Sequence, residues 1–392
     1  MRKLVVILAL VLIGANHGYT LKNLALPTGY SLFHAYPNAF DSGRTDFSLA
    51  ANGMVAALAV RGPQYRGANR IIVWRRDGSR VALVLPSDAL LARSVRQHSI
   101  GPNGRVEFPD ASFRNVVLAD DGTPFVTVDN SFSGAYSGNA TAVFRWGSSG
   151  WAVVADYHLS DTDSPSDFTV EAASSPEHVL LTGDYSSGFI IFDAQERDPK
   201  YQLAQTFLLD GKRLTRVGDG IATAMAGRFI SGYFGTMYGK TIPDNLNRDG
   251  QQAHAALWNG SSPKTLGPGI AFAINARGVA VGDDRVGLTG GSYTILSGPH
   301  STVVTARGGK PSGSPVLWMD GRAHRLSARY GTSLGISEAG TVVGSYQPSG
   351  SFIYRAGVLR NLGQPAAYAI NNREEILVRT ASGLGLLQPA SP

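Results

Sequence analysis

No cysteine occurs among the 392 residues. This excludes a disulfide framework, a thiolate metal site, a cysteine nucleophile and a lipid anchor on Cys, so stability must come from packing. Long apolar runs are missing too. The longest, near the start, holds ten to twelve residues, against the ~20 that a membrane-spanning helix needs. Charge forms no block of one sign. The net +6 includes Arg2 and Lys3, and the densest basic cluster, Arg75, Arg76 and Arg80, surrounds a turn. A nucleic-acid groove would gather basic side chains along one face with aromatic platforms between them, so no nucleic-acid partner is expected. Histidines lack zinc spacing, and no nucleophile elbow, phosphate-binding glycine loop, sialidase-type aspartate box or Trp-Asp blade ending occurs.

What is present is apolar residue and turn. Hydrophobic residues make up 43%, with 47 Gly and 20 Pro in no collagen-like period. Residues 1–20 have the three parts of a secretory signal: Arg2 and Lys3, an apolar stretch over residues 4–13, then small and polar residues with cleavage conceivable after Ala15, Gly18 or Thr20. The expected location is therefore extracellular or periplasmic.

The organising stretch is AFAINARGVAVGDD, residues 271–284: two apolar runs around a polar corner closed by Gly278. Seven such hairpins can be laid out, in units starting near residues 46, 112, 167, 219, 270, 332 and 366. Gly53, Gly122, Gly278 and Gly340 stand where the corners need positive φ. Six pairs are followed by a third run ending in an aromatic, at Trp74, Trp146, Phe192, Trp258, Trp318 and Tyr354, and then by a turn and a fourth run. Such a sheet cannot bury its faces alone, so neighbours must stack. The seventh unit ends without a fourth run, whereas LKNLALPTG, residues 21–29, reads like an orphan fourth strand. The fold expected is all-β: one seven-bladed propeller over residues 21–392, closed by the N-terminal strand pairing with the last blade. One short helix is predicted at SDALLARSVRQHS, residues 87–99. Excess length falls between second and third strands and between units, and both connections leave on one side of the disk.

The pattern A-x-x-I-N-x-x-G-x-x-V-G on Ala271, Ile274, Asn275, Gly278, Val281 and Gly282 recurs with a third strand on His254, Ala255, Leu257 and Trp258. A closing Leu-Gly follows at Leu266 and Gly267 or Leu362 and Gly363. Over residues 221–387 this resembles the HAF-repeat family of extracellular bacterial proteins. Ala256 departs from the family's Phe, and the first three units lack the Ile-Asn pair. The resemblance implies an exported propeller-like repeat and carries no catalytic residues.

Carboxylates near strand starts and corners are Asp46, Asp120, Asp121, Glu171, Asp219, Glu338, Glu374 and Glu375. Two of them about 5 to 9 Å apart could hydrolyse a glycoside, although corners favour Asp and Glu as ordinary turn residues. Asn245, Asn247 and Asp249 imitate the opening of a calcium loop, but position twelve is Ala256. Asp161, Asp163 and Asp167 form a second acidic loop, and structural calcium is the only cofactor either would take. The loops after the second strands carry Tyr65, Tyr136, Tyr185, Tyr238, Tyr293 and Tyr346 among small polar residues. Tyrosine in that setting suits recognition, while the periodic Tyr185 and Tyr346 also fit packing. The function expected is binding of a glycan or protein on the loop-bearing face by a monomer, and the alternative is a hydrolase or lyase acting on polysaccharide.

Overall fold

The computed structural model describes residues 18–33, 46–62, 67–94, 99–100, 106–107, 111–131, 139–156, 167–184, 205–237, 240–242, 253–259, 263–284, 292–297, 300–305, 313–347 and 349–390. They form seven antiparallel four-strand blades. Blade 2 runs Ala111–Leu118, Pro124–Ser131, Asn139–Gly147 and Gly150–Ala155. Blade 3 runs Asp167–Ser175, His178–Asp184, Gln205–Asp210 and Arg213–Asp219. Blades 4, 5 and 6 begin with the innermost strands Ile221–Ala226, Ile270–Ile274 and Gly331–Ile336, and end with Pro263–Pro268, Arg322–Arg325 and Val358–Asn361. Each innermost strand lies against those of both neighbouring blades, and the first meets the last. The structure is therefore a closed ring, a β-propeller.

Closure uses the N-terminal strand. Tyr19–Leu24 pairs antiparallel with Gly383–Pro389, from Tyr19 opposite Pro389 to Leu24 opposite Leu384. It becomes the outer strand of blade 7, whose other strands are Ala366–Ile370, Ile376–Thr380 and Gly383–Pro389. The strand starts two residues before the expected segment and stops at Leu24. Two further differences separate structure from expectation. The third strand of blade 3 is Gln205–Asp210, paired to His178–Asp184, not the run ending at Phe192, which lies outside the described residues. The run QTFLLD precedes a Gly211 turn at φ 62, and that turn chemistry fixes it. Blade 1 divides its innermost position between Tyr30–Leu32 and Phe47–Leu49, both paired to Val55–Arg61. The expected helix is present as Asp88–Ser94.

Burial explains the repeat. Seven apolar clusters each join one blade to the next. Trp258 and Trp318, aromatics near the ends of third strands, are fully buried, the first between blades 3 and 4 and the second between blades 4 and 5. Strand alternation puts one set of side chains toward each neighbour, so a blade without neighbours would leave both faces wet.

Five of the seven first-to-second-strand corners share one hydrogen-bond pattern, while those of blades 3 and 4 are tighter, with Ser175 opposite His178 and Ala226 opposite Phe229. In blade 5, Asn275 N–H donates to the Val279 carbonyl (3.1 Å) and Gly278 N–H to the Asn275 carbonyl (2.9 Å). Ala50, Ala119, Ser337 and Asn371 open equivalent corners. The positive φ falls on Gly53, Gly122, Gly278 and Gly340, and in blade 7 on Glu374 (φ 61). The Asn of the Ile-Asn pair does two jobs. Asn371 Oδ1 accepts from Arg373 N and Glu375 N, while its Nδ2 donates to Glu375 Oε2 (2.7 Å) and to the Ala50 carbonyl of blade 1 (3.2 Å). Asn275 likewise bonds its own corner and the Ser337 carbonyl of blade 6. Ser337 Oγ then donates to Glu374 Oε1 (2.6 Å). The corners thus lock consecutive blades. Asn371→Ala is expected to cost about 2 to 3 kcal/mol, since a buried amide's partners are left unpaired; chemical denaturation measures it, and a loss under about 0.5 kcal/mol would contradict the lock.

Candidate functional site

Antiparallel order puts the corner turns on one face of the disk and the long second-to-third and blade-to-blade connections on the other. A β-bulge recurs on the innermost strands of blades 2 to 7, where the register between first and second strands shifts. The extra residue is Arg114, Glu171, Thr223, Phe272, Leu334 or Tyr368. A bulge twists the strand and re-aims a side chain, so these six positions form a set that plain alternation does not place.

The set is two-sided in character. In blades 4 to 6, Tyr233, Ile270, Phe272 and Leu334 touch as one apolar cluster near the axis. Thr223 Oγ1 between them donates to the Ala271 carbonyl (2.6 Å). From blade 7 round to blade 3 the residues are charged or amphipathic. The Tyr368 ring packs 4.8 Å from Phe47. Burial pushes its hydroxyl up, opposed by Arg379, which hydrogen-bonds it, and reinforced by the Asp46 carboxylate. Asp46 is fully buried at the head of the blade 1 inner strand. In blade 2, burial pushes the Asp129 carboxyl up, and Arg114 pulls it back. Asp283, at the position in blade 5 equivalent to Asp129, is buried and accepts from Thr332 Oγ1 (2.8 Å). An apolar arc facing charged groups of both signs is the usual lining of a ligand site.

The carboxylates expected from sequence divide between the two faces. Asp46 and Glu171 belong to innermost strands, two blades apart, and Asp219 ends an outermost strand. Asp120 and Asp121 lie on the blade 2 corner of the short-turn face, where partial desolvation of its carboxyl and the Asp121 charge push Asp120 up. Glu338 accepts from Ala276 N (2.8 Å). Glu375 is 4% exposed and held by Asn371 and Gln388. Glu338 and Glu374 thus join blades 5, 6 and 7, whereas Glu375 is held within blade 7. Among the described residues no three His, Asp or Glu gather as a metal site. Asn245, Asn247, Asp249, Asp161 and Asp163 lie outside the described residues, as do Tyr65, Tyr136, Tyr185 and Tyr238, and the side chains of Asp167 and Tyr293.

Tyr346 is described, and it is a packing residue. It is 8% exposed in the blade 5 to blade 6 cluster, with its ring 4.8 Å from Phe352 and under the Arg329 guanidinium at 4.2 Å. Sequence reading missed Arg114, Asp129, Phe272, Leu334, Tyr368 and Arg379. The available signal was the broken alternation in runs such as AFAIN, where Phe272 sits between alanines.

No protein-family model and no curated protein matches this chain. Solved structures do. The β-propeller domain of the Trilobed protease from Pyrococcus furiosus, described as having an open velcro topology, is 7% identical, with a TM-score of 0.49 over 88% of this chain and 93% of that one. A gluconolactonase from Xanthomonas campestris is 11% identical (TM-score 0.33, 93% and 96% covered). A levansucrase from B. megaterium is 12% identical (TM-score 0.34, 79% and 90% covered). At these identities no activity is carried over.

Proposed function

We propose that this chain is an exported binding propeller that holds a glycan or a protein segment at the channel mouth on the long-connection face. The observation that carries this reading is the two-sided inner wall, with Tyr233, Phe272 and Leu334 opposite Tyr368, Arg379, Asp46, Arg114 and Asp129. The apolar arc offers contact area and the charged arc fixes orientation. The long connections that leave on the same side can extend the contact, including those that hold Tyr65, Tyr136, Tyr185, Tyr238 and Tyr293. Among the described residues no helix is long and apolar enough to cross a membrane. A glycan array and a peptide array with the purified chain test the reading. Arg114→Ala, at an exposed position, is expected to weaken any ligand found by at least about tenfold with melting nearly unchanged. Silence on both arrays would refute it.

Asp129 supports the rival reading, a hydrolase, because a raised carboxyl near a mouth could serve as a general acid. The same shift has a consequence for stability. A carboxylic acid whose folded pKa lies above its unfolded value favours folding when protonated and loses that contribution as pH rises through the folded pKa. Asp129→Asn is therefore expected to stabilise the protein at pH 7 and to make no difference near pH 3, as thermal melts across pH will show. Weakened ligand binding in this variant, with no turnover in either form, fits the binding reading, and abolished turnover of a polysaccharide fits the hydrolase.

Export also has a structural constraint. Cleavage after Ala15 or Gly18 leaves the closing strand whole, whereas cleavage after Thr20 removes Tyr19 and Thr20, which pair with Pro389 and Gln388. The exported protein is expected to begin at or before Tyr19, checked by intact mass, and a start at Leu21 would contradict this.

A further inference from the structure

On the short-turn side, the seam between blades 6 and 7 opens into a groove of about 250 Å³ lined by Tyr19, Ile353, Arg355, Val358, Arg360 and Leu387, among others. Register explains it. Ile353 lies opposite Arg360, and Arg355 opposite Val358, so these four side chains share one face of the outer hairpin of blade 6, and that face turns toward blade 7. In blade 1 the matching cross-strand pair is Val73 and Val81, and both pack against blade 2. Arg360 stands where blade 1 has the packing Val81, as Lys264 and His324 do in blades 4 and 5, and it stays exposed at the rim. The seam stays shut deeper in, where Ile353, Leu362 and Leu387 pack together.

The groove combines an apolar floor with cations. Neither Arg355 nor Arg360 is ion-paired with a described carboxylate. Asn361 Oδ1 is engaged by Gly363 N (2.7 Å), which leaves its amide N–H groups as donors. Burial and the Glu374 charge push the Tyr19 hydroxyl up, and Arg355 pulls it down. Tyr19 therefore stays neutral. Glu374 is itself turned to Ser337.

We propose that this groove is a second binding site, on the face opposite the channel mouth proposed above, and that it takes a carboxylate carried on a compact apolar body. Two guanidiniums and an amide at the rim are the donors that a carboxylate needs. The aliphatic floor takes the body. About 250 Å³ corresponds to roughly eight water volumes, so the body is one ring or one branched side chain.

The test uses the full chain and three probes followed by isothermal titration and ligand-observed NMR. Benzoate is the apolar carboxylate, benzamide its uncharged isostere, and glucuronate a carboxylate on a polar body. Benzoate is expected to bind saturably with a Kd on the order of 1 mM, and benzamide and glucuronate at least tenfold more weakly. Arg355→Ala and Arg360→Ala, both at exposed positions, are each expected to weaken benzoate about tenfold or more with unchanged melting. Equal binding of benzamide overturns the role of charge, equal binding of glucuronate overturns the apolar body, and benzoate binding untouched by both arginine variants overturns the site. The outcome is independent of whether the channel mouth holds a glycan or peptide, because Arg114 and Tyr368 are left intact.

Discussion

Deleting the closing strand, Tyr19–Leu24, is expected to unfold the ring or lower its stability by roughly 5 kcal/mol or more. The figure follows from the side chains lost: Leu24 is buried and Tyr19 and Leu21 are packed on blade 7, and burying an aliphatic or aromatic side chain is worth about 1.5 to 3 kcal/mol. That is comparable with the whole stability of many domains. The following residues also tie blade 7 to blade 1. The Ala25 carbonyl accepts from Trp74 Nε1 (3.0 Å) and Arg80 (3.2 Å), and Lys22 Nζ donates to the Arg76 carbonyl. Without the strand, Gly383–Pro389 becomes an open edge. The control is excision of residues 286–312 in favour of a short Gly-containing turn. Asp284 and Ser314 are already joined, since Ser314 N–H donates to Asp284 Oδ1 (2.6 Å) and Asp284 N–H to the Ser314 carbonyl. The insertion between them, which holds the hairpin Ser292–Ser297 and His300–Thr305 paired only with itself among the described strands, should be removable with a shift of a few degrees at most. Equal melting temperatures for the two deletions would show that the ring does not depend on its closing strand. A synthetic peptide of residues 18–30 should restore the first variant and not alter the second.

Gly282→Ala is expected to cost about 3 kcal/mol or more, a large effect for one methyl group. The added Cβ would meet the Ile270 carbonyl oxygen, with Ala271 Cα 3.0 Å away. These are backbone atoms of the bulged inner strand and cannot rotate aside. Gly232 and Gly344 face the Ile221 and Thr332 carbonyls in the same way. The residue type at this position is not universal: Val378 stands there in blade 7, opposite Ala367. The cost therefore comes from how closely the neighbouring carbonyl approaches, not from the place in the repeat. Gly340→Ala is the comparison, because its φ of +86° costs an L-residue only about 1 to 2 kcal/mol and the added Cβ meets only the end of the Arg277 side chain, which can move. Denaturant midpoints separate them, and an equal or smaller loss for Gly282→Ala would show that the bulge relaxes.

Most of the architecture was readable because it rests on local chemistry. Apolar runs with period two, corners with Gly at the positive-φ position and an unmatched fourth run at the N-terminus require only that neighbouring residues be read together. Reading failed where two runs competed for one role, as in blade 3, and where two pieces share a strand position, as Tyr30–Leu32 and Phe47–Leu49 do. The candidate site was less legible. Tyr346, whose periodic place after Gly344 also fitted packing, lies against Phe352 in the seam between blades 5 and 6.

By itself, then, the sequence determined the repeated hairpin, most of the turn positions and the strand that completes the last sheet, since each is set within a few residues or by one unmatched edge. Only the tertiary structure decided which side chains share a wall. Bulges re-aim Arg114, Phe272 and Tyr368, Asn371 reaches a carbonyl 321 positions away, and Arg360 stays at the rim of a seam where Val81 packs in blade 1. Those relations depend on which copies lie side by side in the closed ring, and no local pattern encodes that.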